Sequence, residues 1–110
     1  MIVFQHTEIT SEELFDLLQK NSDVVLIDVR EEDEFNLCKI NGSINLPLRH
    51  LVQNLQKIEQ EKPLVTICHH GVRSMQAAIL LKEYGFNNVA SLKGGLDNWA
   101  TTVDLTMPRY

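Results

Sequence analysis

The sequence predicts an α/β fold in which helices cover both faces of a parallel sheet. Segments with the pattern of strands alternate along the chain with segments of helical periodicity, which is typical of β–α–β units. Two strand-like segments, residues 24–28 and 64–68, are nearly continuous apolar runs, as expected for strands buried on both faces. Open α/β sheets bind ligands beyond the carboxyl ends of their strands, so we expect the functional site there.

The N-terminal half begins with a helix. Thr10 and Glu13 have the spacing of a capping box, which predicts a helix that starts at Thr10 and fades near residues 20–23. The strand at 24–28 follows. Four further features are expected before residue 60: a short acidic helix start at 31–35, a turn at 41–43, a short strand at 44–46 that stops at Pro47, and a helix over 48–58.

The C-terminal half repeats the alternation. After the strand at 64–68, a helix is expected to begin at Ser74 and to end at Tyr84, because Gly85 is a typical residue after a helix C-terminus. A third strand is expected at 88–92. Gly94 and Gly95 then turn into a short helix over 96–101, whose Leu96 and Trp99 are expected in the core.

Composition bounds the class of protein. The 110 residues carry 10 basic and 15 acidic side chains, a net charge of −5, and no Lys/Arg cluster, so we expect no nucleic-acid partner. No apolar run approaches the ~18 residues of a membrane span, and the first residues lack the pattern of a signal peptide. We therefore expect one domain over residues 1–110 that is cytoplasmic, without a membrane partner, and whose two cysteines are reduced thiols.

Cys68 is the candidate nucleophile. It ends an apolar run and is followed by a tight turn and a helix. Backbone N–H groups of such a turn and the helix N-terminus converge on the thiol and form an anion-binding site. A thiolate there is stabilised and should be nucleophilic near neutral pH. The candidate anion-binding residues are those that follow it, His69, His70, Gly71, Val72, Arg73 and Ser74.

Individual loop residues have distinct expected roles. Gly71 allows the backbone to turn where a side chain would clash. Arg73 can hold the loop shape and favour an anion; a cation at a helix start is otherwise unfavourable, which suggests an anion nearby. His69 and His70 are expected to shape the loop mouth and could make activity depend on pH. Adjacent ligands have poor geometry for zinc, so we expect neither a metal nor another cofactor.

Four motifs in order resemble the rhodanese family of sulfurtransferases. They are Cys-x4-Arg-Ser at 68–74, Leu-Ile-Asp-Val-Arg-Glu at 26–31 with Glu34 and Phe35, Ile-Asn-Gly-Ser-Ile-Asn-Leu-Pro at 40–47, and Gly-Gly-x-x-x-Trp at 94–99. The resemblance implies a parallel five-stranded sheet flanked by helices. It further implies that Cys68 carries a sulfane sulfur as a persulfide from a donor to a thiophilic acceptor.

The same resemblance bounds the partners. Thiosulfate, cyanide or thiols would serve in vitro, and a persulfide-donating or sulfur-carrier protein could serve in the cell. The loop has no Lys or Arg before Arg73, so we expect small dianionic donors such as thiosulfate to bind modestly. A thiosulfate KM in the low micromolar range would contradict this. Related phosphatases and arsenate reductases use Cys-x5-Arg, one residue more, and are the less favoured reading. A non-catalytic module that docks a sulfur carrier or another protein is the main alternative.

Six residues outside the loop also have expected roles. Asp28 and Arg30 are expected to form a structural ion pair at the rim of the sheet, with direct substrate contact as the minority alternative. Cys38 and Lys39 stand where the family usually has Gly-His. Cys38 is expected to pack as a small residue, the alternative being a resolving thiol for Cys68, and Lys39 either supplies a charge or faces water. The end of the chain resembles rhodanese modules fused to enzymes that activate ubiquitin-like sulfur carriers, and its last residue, Tyr110, is expected with Arg109 in a frayed tail.

Overall fold

The structure is a computed structural model that describes residues 2–20 and 22–110. The strands are β1 (Glu8–Ile9), β2 (Val25–Asp28), β3 (Ile44–Asn45), β4 (Leu64–Ile67) and β5 (Val89–Leu92). The α-helices are α1 (Ser11–Gln19), α2 (Glu32–Leu37), α3 (Val72–Glu83) and α4 (Gly95–Thr102), and two 3₁₀ helices span Leu48–His50 and Val52–Lys57.

The five strands form one parallel sheet in the order β1-β5-β4-β2-β3. Strand β4 is central and buried along its whole length, and Leu64 at its start is in register with Val25 of β2 and Val89 of β5. This arrangement confirms the parallel five-stranded sheet. All carboxyl ends of the strands lie at one edge, which places the segments after β2 and β4 beside each other.

Two apolar clusters cover the two faces of the sheet, as the alternating side chains of a strand require. On β2, Leu26 belongs to one cluster and Ile27 to the other. Helices α1 and α4 pack on the first face through Leu14 and Trp99. Helix α3 covers the second face, where fully buried Leu81 contributes about 2 kcal/mol of stability. Helices on both faces were expected, and Trp99 is in the core as predicted.

Local sequence signals set the ends of the helices. The Thr10 hydroxyl accepts from Glu13 N–H (3.1 Å), and the Glu13 carboxylate accepts from Thr10 N–H (2.9 Å), so the predicted capping box is present. Helix α3 begins at Val72 rather than at Ser74, because Gly71 adopts a left-handed conformation (φ 99°) and turns the chain two residues earlier than expected.

The stretch over residues 48–58 is helical as expected, but it is not an α-helix. Two 3₁₀ helices occupy this stretch, with i to i+3 hydrogen bonds such as Leu51 N–H to the Leu48 carbonyl (3.2 Å). Apolar residues three apart along this stretch suit a 3₁₀ helix as well as an α-helix. Leu51 and Ile58 of this stretch are buried, whereas Val52 is 42% exposed.

Strand β1 was not predicted. Its two residues form an edge strand of the sheet and pair with β5, and the flanking backbone adds bonds from Ser91 N–H to the Thr7 carbonyl (2.6 Å) and from Lys93 N–H to the Ile9 carbonyl (2.8 Å). Over the described ranges, 2–20 and 22–110, no helix has the length and apolar character that crossing a bilayer requires.

Candidate active site

Cys68 follows the last residue of β4 and is 1% exposed. Its Sγ accepts a hydrogen bond from Gly71 N–H (3.0 Å), and its thiol donates to Ser74 Oγ (3.3 Å). Ser74 Oγ lies 2.7 Å from Ser91 Oγ on β5, at the centre of the sheet edge. Because serine hydroxyls rotate freely, Ser74 can donate to a thiolate while Ser91 donates to Ser74. The site can therefore supply both a backbone and a hydroxyl donor to a negatively charged sulfur.

The turn between β4 and α3 has the shape of an anion-binding loop. Gly71 precedes the helix in the left-handed conformation, and a Cβ at this position would lie 3.2 Å from the backbone nitrogen of Gly94. Thr66 Oγ1 donates to the Ser74 carbonyl (2.7 Å), which ties the first turn of α3 to β4. The 12-residue helix α3 points its N-terminus at this loop, and the partial positive charge there favours an anion.

Helix α4 packs its N-terminus directly against the loop. Leu96 N–H donates to the Cys68 carbonyl (2.9 Å), and Asp97 N–H donates to the His69 carbonyl (3.0 Å). A Cβ at Gly95 would collide with both carbonyl groups. Glycine in the 94–99 motif thus allows the backbone of α4 to pack directly against the backbone of the Cys68 loop. The loop is fixed by α4 as well as by α3.

Arg73 does not stand alone at the start of α3. Its Nη1 and Nη2 atoms donate to Oε1 and Oε2 of Glu34 on α2, at 2.6 and 2.9 Å. The hydrogen bonds from Arg73 hold the pKa of Glu34 at about 2, with further lowering by bonds from Tyr110 and the Glu31 backbone. The hydrogen bond to Glu34 also raises the pKa of Arg73. The sequence suggested an anion beside Arg73, and the Glu34 carboxylate is that anion. The sequence analysis did not identify Glu34 as a residue of the site.

Asp28 and Arg30 form the expected ion pair, but both are 0% exposed. Arg30 Nε and Nη2 donate to the two Asp28 oxygens at 2.9 and 2.8 Å. The remaining guanidinium N–H groups reach the Cys38 and Glu34 carbonyls. The pair is thus beneath the rim rather than at its surface. It fixes the C-terminal end of α2 against the sheet and leaves no face for direct substrate contact.

The last residues are not a frayed tail, so that expectation is wrong. Tyr110 Oη accepts from Arg30 Nη1 (2.9 Å) and donates to Glu34 Oε2 (2.7 Å). Arg109 forms a salt bridge to Asp97 on α4 (3.0 Å). Burial raises the pKa of Tyr110 to about 12, so the phenol stays neutral and keeps its proton for Glu34. These long-range partners, far apart in sequence, order the segment.

The two histidines line the loop mouth beside this segment. The His69 ring lies 4.0 Å from the Tyr110 ring and 3.9 Å from the His70 ring, between their centroids. Burial lowers the pKa of His69, and the neighbouring His70 lowers it further. His70 is exposed, with Nδ1 4.0 Å from an Asp97 oxygen. His69 is therefore neutral near pH 7, and Tyr110 forms part of the mouth.

Cys38 packs as a small buried residue, as expected, and Lys39 is exposed to water, one of the two roles considered for it. Cys38 is buried, and its thiol donates to the Pro108 carbonyl (3.7 Å). It belongs to the apolar cluster on the face of the sheet opposite to the cluster that contains Cys68. The Lys39 ammonium lies 4.6 Å from the centre of the Phe35 ring, a cation–π contact. The fold therefore separates the two thiols and directs Lys39 to a neighbouring aromatic ring.

Comparisons with known proteins agree with this geometry. A family model described as "Rhodanese-like domain" matches residues 10–102. Thiosulfate sulfurtransferase GlpE of Shewanella oneidensis is 34% identical over 99 residues, which cover 90% of this chain and 95% of that protein. Adenylyltransferase and sulfurtransferase UBA4 of Meyerozyma guilliermondii is also 34% identical over 99 residues, and the match covers 83% of this chain and 23% of that protein.

The structural comparison gives the same relationship. The human single-domain sulfurtransferase TSTD1 superposes with a TM-score of 0.82 at 26% identity, with 88% of this chain and 97% of that chain covered. The match covers nearly the full length of the small sulfurtransferase TSTD1. By contrast, this chain spans about a quarter of the length of UBA4.

Proposed function

The chain belongs to the rhodanese-like domain family, and from this premise we propose that residues 1–110 act as one sulfurtransferase domain. Cys68 is its nucleophile and persulfide carrier. The observation that carries the proposal is the position of Cys68 Sγ, which lies 3.0 Å from Gly71 N–H at the N-terminus of α3. The names of GlpE and TSTD1 as sulfurtransferases support the reaction class.

The first half-reaction loads the sulfur. The Cys68 thiolate attacks the outer sulfur of a donor, a new S–S bond forms, and the bond from that sulfur to the rest of the donor breaks. With thiosulfate, sulfite leaves with the bonding electron pair and needs no proton. The negative charge moves to the outer sulfur of the persulfide, where preorganised donors of the loop and of α3 stabilise it.

The second half-reaction returns the enzyme to its starting state. A thiophilic acceptor attacks the outer sulfur, the S–S bond breaks, and the Cys68 thiolate leaves with the electron pair. With cyanide the product is thiocyanate. Ser74 and Gly71 contact Sγ of the free thiol in the structure, so the same groups can stabilise the departing thiolate.

Physiological partners follow from the relatives that combine several activities. We propose that a protein or low-molecular-weight persulfide serves as donor, and that a sulfur-carrier protein or a thiol serves as acceptor. The name of UBA4 joins an adenylyltransferase to a sulfurtransferase, which supports the sulfur-carrier class. His70 and Val72, both exposed at the loop mouth, are positioned to meet such a partner.

A cyanide assay tests the proposal. Wild-type protein should convert thiosulfate and cyanide to sulfite and thiocyanate, and Cys68→Ser should abolish turnover with the fold intact. Cys38→Ser is the matched control, because it removes the other buried thiol from the opposite face of the sheet, and it should keep turnover. Arg73→Ala should lower the rate at which sulfur is loaded onto Cys68, with a smaller effect on the free energy of unfolding.

Two results would count against the proposal. Turnover in Cys68→Ser would contradict the assignment of the nucleophile. Wild-type protein that turns over neither thiosulfate nor a cysteine-desulfurase persulfide would favour a non-catalytic docking module instead.

A further inference from the structure

The charges at the loop mouth are paired within the chain. Arg73, the permanent cation of the loop, makes a bidentate contact with Glu34. Arg109 makes a corresponding contact with Asp97, whose carboxylate also faces His70. These two ion pairs sum to zero charge, so the two arginines offer little surplus positive charge to an incoming donor.

Glu34 is held in this position by contacts from three directions. Besides Arg73, it accepts from Tyr110 Oη (2.7 Å) and from the backbone N–H of Glu31 (3.1 Å). Its side chain is 19% exposed, so solvent screens its charge less than that of an open surface carboxylate. Glu34 therefore opposes the Arg73 charge at any pH at which the enzyme would work.

We infer that Glu34 determines the charge class of the sulfur donor, by cancelling the field of Arg73 so that neutral or singly charged donors are preferred over dianionic ones. This inference rests on the proposed function and refines its substrate class. Arg73 directly precedes Ser74, whose Oγ lies 3.3 Å from Cys68 Sγ in the first turn of α3, so a donor sulfur bound at Sγ lies in the field of the Arg73–Glu34 pair. A second negative charge on the donor gains little attraction there while Glu34 is ionised.

Two donors of similar shape isolate this effect. Thiosulfate carries two negative charges, and methanethiosulfonate replaces one charged oxygen with a methyl group and carries one. In each case the Cys68 thiolate forms a bond to the outer sulfur and the sulfur–sulfur bond of the donor breaks. Sulfite leaves thiosulfate and methanesulfinate leaves methanethiosulfonate, each with the bonding electron pair. Charge balances in both reactions, since the persulfide carries the single charge of the thiolate.

Glu34→Gln removes the charge with little change of shape. Glutamine at this position can still accept from Glu31 N–H, because the capping box tolerates Gln. Glu32→Gln is the matched control, since it removes an exposed carboxylate from the same helix. The readout is kcat/KM for each donor at fixed cyanide, expressed as the ratio of thiosulfate to methanethiosulfonate.

The wild-type ratio should be below one, and Glu34→Gln should raise it about three- to tenfold, the effect of one unit charge several ångströms away at a partly screened site. Glu32→Gln should leave the ratio within about twofold, as expected for a screened surface charge. An unchanged ratio in Glu34→Gln, or an equal rise in both variants, would overturn the inference while leaving the proposed function intact. Failure of wild-type protein to accept sulfur from both of these donors and from a cysteine-desulfurase persulfide would instead overturn the proposed function.

Discussion

Gly95→Ala should disrupt the candidate site through the backbone alone. Gly95 has φ 62°, and a Cβ there would collide with the Cys68 and His69 carbonyls. To relieve the collision, α4 must move away from the loop. The hydrogen bonds from Leu96 N–H and Asp97 N–H to those two carbonyls are then lost or stretched.

The expected cost has two parts. A left-handed conformation costs alanine about 1 kcal/mol relative to glycine. Two lost backbone hydrogen bonds cost about 1 to 3 kcal/mol together. Gly95→Ala should therefore lower the free energy of unfolding by about 2 to 4 kcal/mol, a substantial part of the ~5–15 kcal/mol typical of a domain.

Urea denaturation of Gly95→Ala and Gly85→Ala provides the test. Gly85 shares the positive φ (96°) but has no atom within 4 Å of its Cβ position, so Gly85→Ala should cost about 1 kcal/mol, the conformational part alone. Gly95→Ala should also lose sulfur loading at temperatures where it is still folded. Equal destabilisation by the two variants, or full loading by Gly95→Ala, would refute the close packing of α4 on the Cys68 loop.

Three other predictions follow from the buried groups. Asp28→Asn should destabilise the fold by about 3–5 kcal/mol in urea, because it leaves the Arg30 charge buried without its partner; a loss below about 1 kcal/mol would contradict the ion pair. The lowered pKa of Glu34 stabilises the fold above about pH 4.5, and this contribution is lost as the pH falls toward about 2. Between about pH 5 and pH 3, wild-type protein should therefore lose about 2 kcal/mol more stability than Glu34→Gln, and parallel pH profiles would contradict the shift. Mild oxidation should produce no intramolecular disulfide between Cys38 and Cys68, because they lie on opposite faces of the sheet; a mass loss of about two hydrogens in the folded monomer would contradict that separation.

Features carried by neighbouring residues could be predicted from the sequence, and Glu34 was noted as part of the motif at 26–35 without its ion-pair partner. The Cys68 loop is a local strand–turn–helix signal, and the capping box at Thr10 lies within four residues. The ion pair of Asp28 and Arg30 was also within reach, since the two residues are separated by one position. The full burial of this ion pair could not be predicted, because it depends on contacts with Tyr110 and on the docking of α2.

The missed features depend on contacts between distant residues. Glu34 lies 39 residues from Arg73 and 76 from Tyr110 in sequence, so no local pattern shows that it pairs with these two residues. Strand β1 has two residues and exists because the edge of β5 is available, which no periodicity reveals. In residues 48–58, the apolar spacing is compatible with both helix types, so the choice between them depends on tertiary packing.

Intact-protein mass spectrometry tests the central claim most directly. Wild-type protein and Cys68→Ser would each be incubated with a sulfane donor and then with cyanide. We expect one added sulfur on wild-type protein, none on Cys68→Ser, and removal of the added sulfur by cyanide with release of thiocyanate. An added sulfur on Cys68→Ser, or its absence from wild-type protein with both thiosulfate and a cysteine-desulfurase persulfide, would contradict a persulfide carried by Cys68.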